Sequence, residues 1–231
     1  MNLRFAAALI TLSAVGTVTP GSAGELRPSM TMPGGPARQT CGGGESIYEQ
    51  IGAPTGRGIA AQDFEAAYDA YDCAVADDFQ LTFTDYPDFV YIPGSYSAGG
   101  GPASAMVVQF YADAGGYPGA VLCSGVATIL DDQDGNIFCD LPFDCVFTAG
   151  TTYWVSVAAR MDYLSGGQWY ASTESVTTGN IGKWYNPGDG FGLGCTSWPS
   201  CDIDVMDPGD LDLSFCLEII IPVELQRFVI E

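Results

Sequence analysis

Two aromatic dipeptides, Trp169-Tyr170 and Trp184-Tyr185, and a further tryptophan, Trp198, are the side chains best suited to recognising a ligand. Exposed Trp and Tyr rings offer flat faces to the apolar side of a sugar ring, so Trp169, Tyr170, Trp184, Tyr185 and Trp198 are the candidates for a saccharide-binding edge. Neighbouring residues of a strand point to opposite faces, so within each dipeptide one ring is expected to pack inward and the other to stay outside. Acidic oxygens form a second constellation. The run Asp131-Asp132-Gln133-Asp134-Gly135-Asn136 is rich in hard oxygen donors, which suits Ca²⁺. Asp131, Asp132 and Asp134 are therefore candidate metal ligands and calcium the candidate ion. The EF-hand spacing fails, because Leu130 occupies the position of its first acid. The competing reading is that Asp serves turns and strand ends and that surface acid maintains solubility.

The remaining composition narrows the chemistry. Of 231 residues, 28 are Asp or Glu, 7 are Lys or Arg and none is His, for a net charge of −21. Without histidine there is no Ser-His-Asp or Cys-His machinery and no His-ligated metal or haem. Such an acidic chain is a poor partner for nucleic acid or an anionic membrane, which need clustered Lys and Arg. Catalysis would have to rest on carboxylates alone, as in glycoside hydrolysis. Only Glu174 and Glu218 among the glutamates lie within or beside expected core strands, and no phosphate- or dinucleotide-binding glycine motif is present. The expectation is a protein that binds or builds and is not an enzyme.

The elements that must position these residues start after an export signal. Arg4, an apolar stretch over 5–18 and Gly21-Ser22-Ala23 make 1–23 a secretory signal peptide, which places the chain outside the cell or in the periplasm. No later segment is apolar enough to enter a membrane. Eight cysteines in an exported chain imply a disulfide framework. Cys195–Cys201 would staple a short loop, Cys123–Cys145 would join neighbouring strands, and Cys73–Cys216 would link the first and last strands, leaving Cys41 and Cys139 over.

Residues 24–44 read as a flexible Gly/Pro-rich lead-in, 45–221 as a single domain and 222–231 as a C-terminal tail. Short segments of period-2 alternation, punctuated by Gly, Pro and Asp, fill the domain from residue 75 onward, and 45–73 reads as an N-terminal wrap. The clearest alternation is 211–221, where Leu211, Leu213, Phe215, Leu217 and Ile219 face one way and Asp210, Asp212, Ser214, Cys216 and Glu218 the other. One apolar and one polar face mean strands packed on a single side. The fold class is all-β, an antiparallel β-sandwich, jelly-roll-like and stapled by disulfides.

The stretch VQFYADAGGYPG over 108–119 and FTAGTTYWVSV over 147–157 resemble uncharacterised bacterial secreted β-sandwich modules of the choice-of-anchor type. There a FYxDxGGxPG turn precedes an LTAGTxYWVSV strand. The segments 69–79, 168–173 and 184–192 are similar to the same group, so the resemblance covers about residues 69–217. It implies a fold and export, and no chemistry. The tail over 221–231 is similar to a PVELxxFxxE segment that in bacterial surface proteins often precedes a sorting signal. No hydrophobic helix or basic end follows it, so release is the expectation. Together these readings point to a secreted interaction or structural module whose partners are extracellular polysaccharide or surface proteins. The alternatives are a carbohydrate-binding module using the aromatic edge, and a filament or matrix subunit built by strand addition.

Overall fold

The period-2 segments become strands in the computed structural model, which describes residues 25–32, 40–97 and 99–220. In chain order the first are β1 (Ser29–Thr31), β2 (Glu45–Gln50), β3 (Pro54–Ala60), β4 (Gln62–Asp63), β5 (Ala74–Phe79), β6 (Phe89–Ile92), β7 (Gly94–Tyr96) and β8 (Ala105–Asp113). There follow β9 (Pro118–Gln133), β10 (Asn136–Asp140), β11 (Tyr153–Arg160), a one-turn helix α1 (Tyr163–Gly166), β12 (Trp169–Glu174), β13 (Lys183–Tyr185), β14 (Asp212–Leu213) and β15 (Phe215–Ile219). They form two sheets. The larger, of ten strands, runs β13-β5-β11-β8-β9-β10-β6-β15-β2, with β4 beside β11. The smaller, of five, runs β1-β3-β12-β14, with β7 also on β12. The larger sheet curls into a half-barrel, so the all-β, antiparallel, disulfide-stapled fold expected from the alternation is the one observed.

One continuous apolar core lies between the sheets. Val75 and Phe79 of β5, Met106, Val108 and Phe110 of β8, and Val155 and Val157 of β11 face it, with Phe79, Phe110 and Phe147 in mutual ring contact at 4.9–5.9 Å. The long strand β9 is shared along its length. Its first part pairs with β8 and its second with β10, so the sheet bends where it changes partner. Between β9 and β10 the chain reverses through Asp134 (φ 55°) and Gly135 (φ 98°). Two positive φ values in a two-residue loop are the signature of a tight hairpin turn, for which Asp-Gly is a favoured pair. A side chain at Gly135 would also meet Ser95 Cα at 2.7 Å.

The motif over 108–119 has a structural job. Asp113 closes the turn after β8 by accepting from Gly115 N at 3.0 Å, Gly116 N at 2.9 Å and Trp154 Nε1 at 2.9 Å. Burial works against ionisation there, yet these N–H donors hold the Asp113 carboxyl below the usual range.

Four expectations change. The lead-in is partly structured, because Ser29–Thr31 pairs antiparallel with β3 as an edge strand. The wrap over 45–73 is largely sheet, with Glu45–Gln50 on β15 and Pro54–Ala60 on β12. The alternating run at the end of the domain is two strands. β14 pairs with β12 of the small sheet and β15 with β6 and β2 of the large one, so the chain changes sheets at Ser214, a corner typical of sandwiches. Its polar face is also not solvated. Asp212, Ser214, Cys216 and Glu218 are all fully buried: Thr178 and Glu174 meet Asp212 and Ser214, and the segment before β2 covers Cys216 and Glu218.

The same covering segment rearranges the disulfides. Cys123–Cys145 and Cys195–Cys201 form as expected. Cys216 pairs with Cys41 and not with Cys73. The expectation took β5 for the first strand, whereas β2 precedes it and lies directly against β15, bringing Cys41 to Cys216. Gly42, Gly43 and Gly44 then donate three backbone N–H groups to the buried Glu218 carboxylate. Cys73 and Cys139 are buried free thiols, and burial pushes both up to about 12, so neither is a reactive thiolate.

Candidate functional site

Three of the five aromatic candidates are core. Trp169 and Trp184 have no exposed surface and Tyr170 retains 3%. Each polar atom of these rings is also spoken for. Trp169 Nε1 donates to Gly135 O at 2.8 Å, Trp184 Nε1 to Ala60 O at 2.7 Å and the Tyr170 hydroxyl to Gln168 Oε1 at 2.8 Å. None of the three offers a ring face to a ligand. The inward–outward rule holds for Trp184 and Tyr185 and fails for Trp169 and Tyr170. The outer side of β12 is covered by the N-terminal segment, where Met32 and Tyr170 flank Gly58 and Arg27 exchanges backbone hydrogen bonds with the Gln168 side chain.

The other two aromatics do come together. β13 pairs with the edge of β5 so that Tyr185 stands opposite Ala74 and points away from the core. Trp198 reaches it from the Cys195–Cys201 loop, whose two sulfur residues are buried anchors. A short 3₁₀ turn at Trp198–Ser200 sets the ring, fixed by reciprocal bonds between Ser197 and Ser200. The two rings lie 5.0 Å apart at 36°, and Trp198 meets Tyr111 edge-on at 5.8 Å. Both Tyr185 and Trp198 remain partly exposed.

Beside them the outer face of the large sheet is low. Pairing of β13, β5, β11 and β8 places Lys183, Ala76, Ser156 and Gln109 in one row across the sheet. Ala74 and Ala158 carry the next row toward Val107. Small side chains between bulky ones leave a trough of 310 Å³, walled by Tyr185 and Trp198 on one side and by Asp63, Asp72 and Arg160 on the other. That volume is at the lower end of small-molecule sites. Arg160 Nε donates to Asp63 Oδ2 at 2.6 Å across the parallel β4–β11 pairing. Asp72 accepts from Phe64 N at 2.8 Å. Burial, and then the charges of Asp63 and Asp69, push its carboxyl up to about 6. The trough therefore offers a two-ring platform, a guanidinium, two carboxyls and an amide around an apolar floor.

Sequence reasoning named Tyr185 and Trp198 and missed the rest of the wall. The floor had a faint signal in the small residues Ala74 and Ala158 on the outward register of strands. Asp63 had none, since β4 is two residues long and its partner strand lies about a hundred residues away.

The acidic expectations are also reassigned. Asp132 accepts from the Tyr96 hydroxyl at 2.6 Å and from Gly135 N at 2.8 Å, and Asp131 accepts from Gln133 Nε2 at 2.6 Å. Asp134 is the left-handed residue of the hairpin. These three acids build a turn, and they do not converge as a ligand set. Among the described residues the single group of three ligating side chains within 4.8 Å is Cys41, Cys216 and Glu218, whose two sulfurs are joined to each other.

A second acidic group, unanticipated, sits inside the domain. Asp77, Asp212 and Glu174 are buried, and among the described residues none of them forms an ion pair with Lys or Arg. Asp77 accepts from Leu213 N at 2.6 Å, Gln50 Nε2 at 2.8 Å and Asp78 N at 2.8 Å. Glu174 accepts from Gly52 N, Ala53 N and the Ser214 hydroxyl. Asp212 accepts from Thr178 N through Oδ2, while its buried Oδ1 has no partner. Burial, reinforced by Asp212, raises the Asp77 carboxyl well above its ordinary value, and burial with Asp78 and Glu174 brings Asp212 up to about 7. N–H and O–H donors already occupy the oxygens of Asp77 and Glu174. The raised carboxyls of Asp77 and Asp212 favour their protonated forms in this buried setting.

No protein family, curated protein or solved structure matches this chain.

Proposed function

We propose that the chain is an exported, non-catalytic β-sandwich module that binds a neutral saccharide in the trough beside Tyr185 and Trp198. The observation that carries this is the tilted Tyr185–Trp198 pair, held partly exposed by a disulfide-closed loop over a floor that includes Ala74 and Ala158. Apolar C–H faces of a sugar stack on such rings, while its hydroxyls both donate and accept. The Asp63–Arg160 pair and Gln109 supply both kinds of partner. The net charge of −21 disfavours a polyanion. Disulfides and the signal-like 1–23, which lies outside the described residues together with the tail over 222–231, support export. Among the described residues no helix is long and apolar enough to cross a membrane.

Non-catalytic action is supported by the absence of histidine and by the engagement of the groove acids. Asp63 is tied to Arg160 and Asp72 to the Phe64 amide. Assembly by strand addition draws less support. The edges at β1, β13 and β14 are two or three residues long, and β2 exposes Glu45 and Glu49, both devices that discourage edge pairing.

A glycan array probed with the wild type and Trp198→Ala tests the reading. The wild type should bind neutral glycans, and the variant should lose at least about tenfold in affinity with its thermal midpoint retained. Absence of wild-type binding to any polysaccharide refutes it.

A further inference from the structure

The trough does not end at Arg160. A second and larger cleft of 610 Å³ opens on the other side of the Asp63–Arg160 pair and counts the same two residues in its wall. Its remaining lining is mostly polar or small. Ser104, Asp162 and Ser165 ring it, with Gly101 and Pro102 on one flank. We infer that the two clefts are one elongated site for a linear, neutral polysaccharide chain that crosses the Asp63–Arg160 pair, with aromatic stacking at the Tyr185–Trp198 end and hydroxyl hydrogen bonding at the Ser104–Ser165 end. This rests on the saccharide reading of the trough and adds to it the length and charge of the ligand.

Three features support continuity. The dividing wall is low and partly solvated, the side chains of Arg160 and Asp63 being 47% and 34% exposed. It is rigidly placed, because Asp63 is opposite Arg160 in the β4–β11 pairing and Ser104 anchors the backbone behind it through N and Oγ bonds to Arg160 O. The second cleft has about twice the volume of the first, so a ligand that fills only the aromatic end leaves most of the concave surface unused.

Charge selects a neutral chain. A cationic polymer would meet Arg160 at the midpoint, and a polyanion would meet Asp63, Asp72 and Asp162 within a strongly acidic protein. The adjacent carboxylate and guanidinium can accept from and donate to the same hydroxylated ring, which is how a fixed ion pair recognises a neutral polar ligand.

The test is a titration of the full chain, followed by Trp fluorescence and calorimetry, with neutral cello-, manno-, xylo- and malto-oligosaccharides from two to six units. Two variants accompany it. Ser165→Trp fills the second cleft from the exposed face of α1 without touching the core, and Trp198→Ala removes the platform. The expected result is that affinity for at least one series rises about tenfold or more between the disaccharide and the hexasaccharide. Ser165→Trp should abolish the rise while leaving disaccharide binding intact, and Trp198→Ala should weaken every length. Length-independent binding, or a rise that survives Ser165→Trp, overturns the elongated site and leaves the trough reading standing. Binding confined to charged oligosaccharides such as oligouronides or oligomeric glucosamine overturns the neutral assignment. If no oligosaccharide binds to folded wild-type protein, both readings fall together.

Discussion

Asp212→Asn is the most direct probe of the buried acids. In the folded protein the Asp212 carboxyl titrates at about 7, against 3.8 for the ordinary side chain, because it is buried beside Asp78 and Glu174. The folded state holds this proton more tightly than the unfolded chain, so its contribution is complete below about pH 4 and is lost as pH rises through about 7. The full shift corresponds to ~4 kcal/mol at 1.36 kcal/mol per unit. The unfolded carboxyl is already largely ionised at pH 5, so about 2.5 kcal/mol of this is lost between pH 5 and pH 8; the Thr178 N–H that donates to the ionised form keeps the folded value from rising further. Asp77, raised in the same direction, adds to the slope. The asparagine keeps an oxygen for Thr178 and cannot ionise. Urea unfolding with the disulfides intact should find the variant's advantage over wild type growing from pH 5 to pH 8, the gap between the midpoints widening by about 1 M. Parallel wild-type and variant profiles would refute the assignment of a proton to this site. A wild type that grows more stable from pH 5 to pH 8 would refute the sign.

Two further outcomes are expected. The Cys41–Cys216 bond closes a separation of 175 residues and Cys195–Cys201 one of 6, so chain entropy assigns them about 5 and about 2 kcal/mol. Denaturation midpoints of the two Cys→Ser double variants should fall in that order, and a larger loss at 195–201 would contradict it. Thermal midpoints in millimolar calcium and in chelator should coincide, since Asp131, Asp132 and Asp134 serve a hairpin. A shift of several degrees would show that these acids do gather around an ion.

What the sequence made legible was whatever depends on local period and local turns. The period-2 segments beyond residue 75 are strands, with Phe110 of β8 and Val155 of β11 in the core, and the Cys195–Cys201 loop presents Trp198. What it hid traces largely to one physical cause, the path of the N-terminal residues. A segment rich in Gly, Pro and Ser carries no period and reads as linker. Here its pieces act at long range. Residues 25–32 lie over the small sheet and bury Tyr170, and residues 41–44 clasp Glu218 and lock Cys41 to Cys216 across most of the chain. Alternation in 211–219 reports which residues share a face. It does not report whether the second face is later covered, so the row of Asp212, Ser214, Cys216 and Glu218 looked solvated although all four are buried and a strap holds the last two.

The glycines that erase a helical or strand pattern are what let this strap work. Three consecutive backbone N–H groups converge on the Glu218 carboxylate at Gly42, Gly43 and Gly44, and Gly43 sits at φ 155°. A Cβ at Gly44 would stand 2.8 Å from Ile219 O, and one at Gly42 2.4 Å from the Phe138 ring. The low-complexity run is therefore selected by close approach as much as by freedom. The same logic separates the two acid populations of the chain. Carboxylates that meet backbone N–H nests or turns, such as Glu218 and Asp113, are held by fixed donors. Asp212 has an oxygen with no donor and keeps its proton instead. Asp63 pairs with Arg160 at the surface, between two clefts, where an exchange of partner with a ligand hydroxyl costs little because both side chains are already partly solvated. Asp63 thus has an environment suited to recognition, and its neighbours Tyr185 and Trp198 are the two of the five candidate rings that the fold leaves partly exposed.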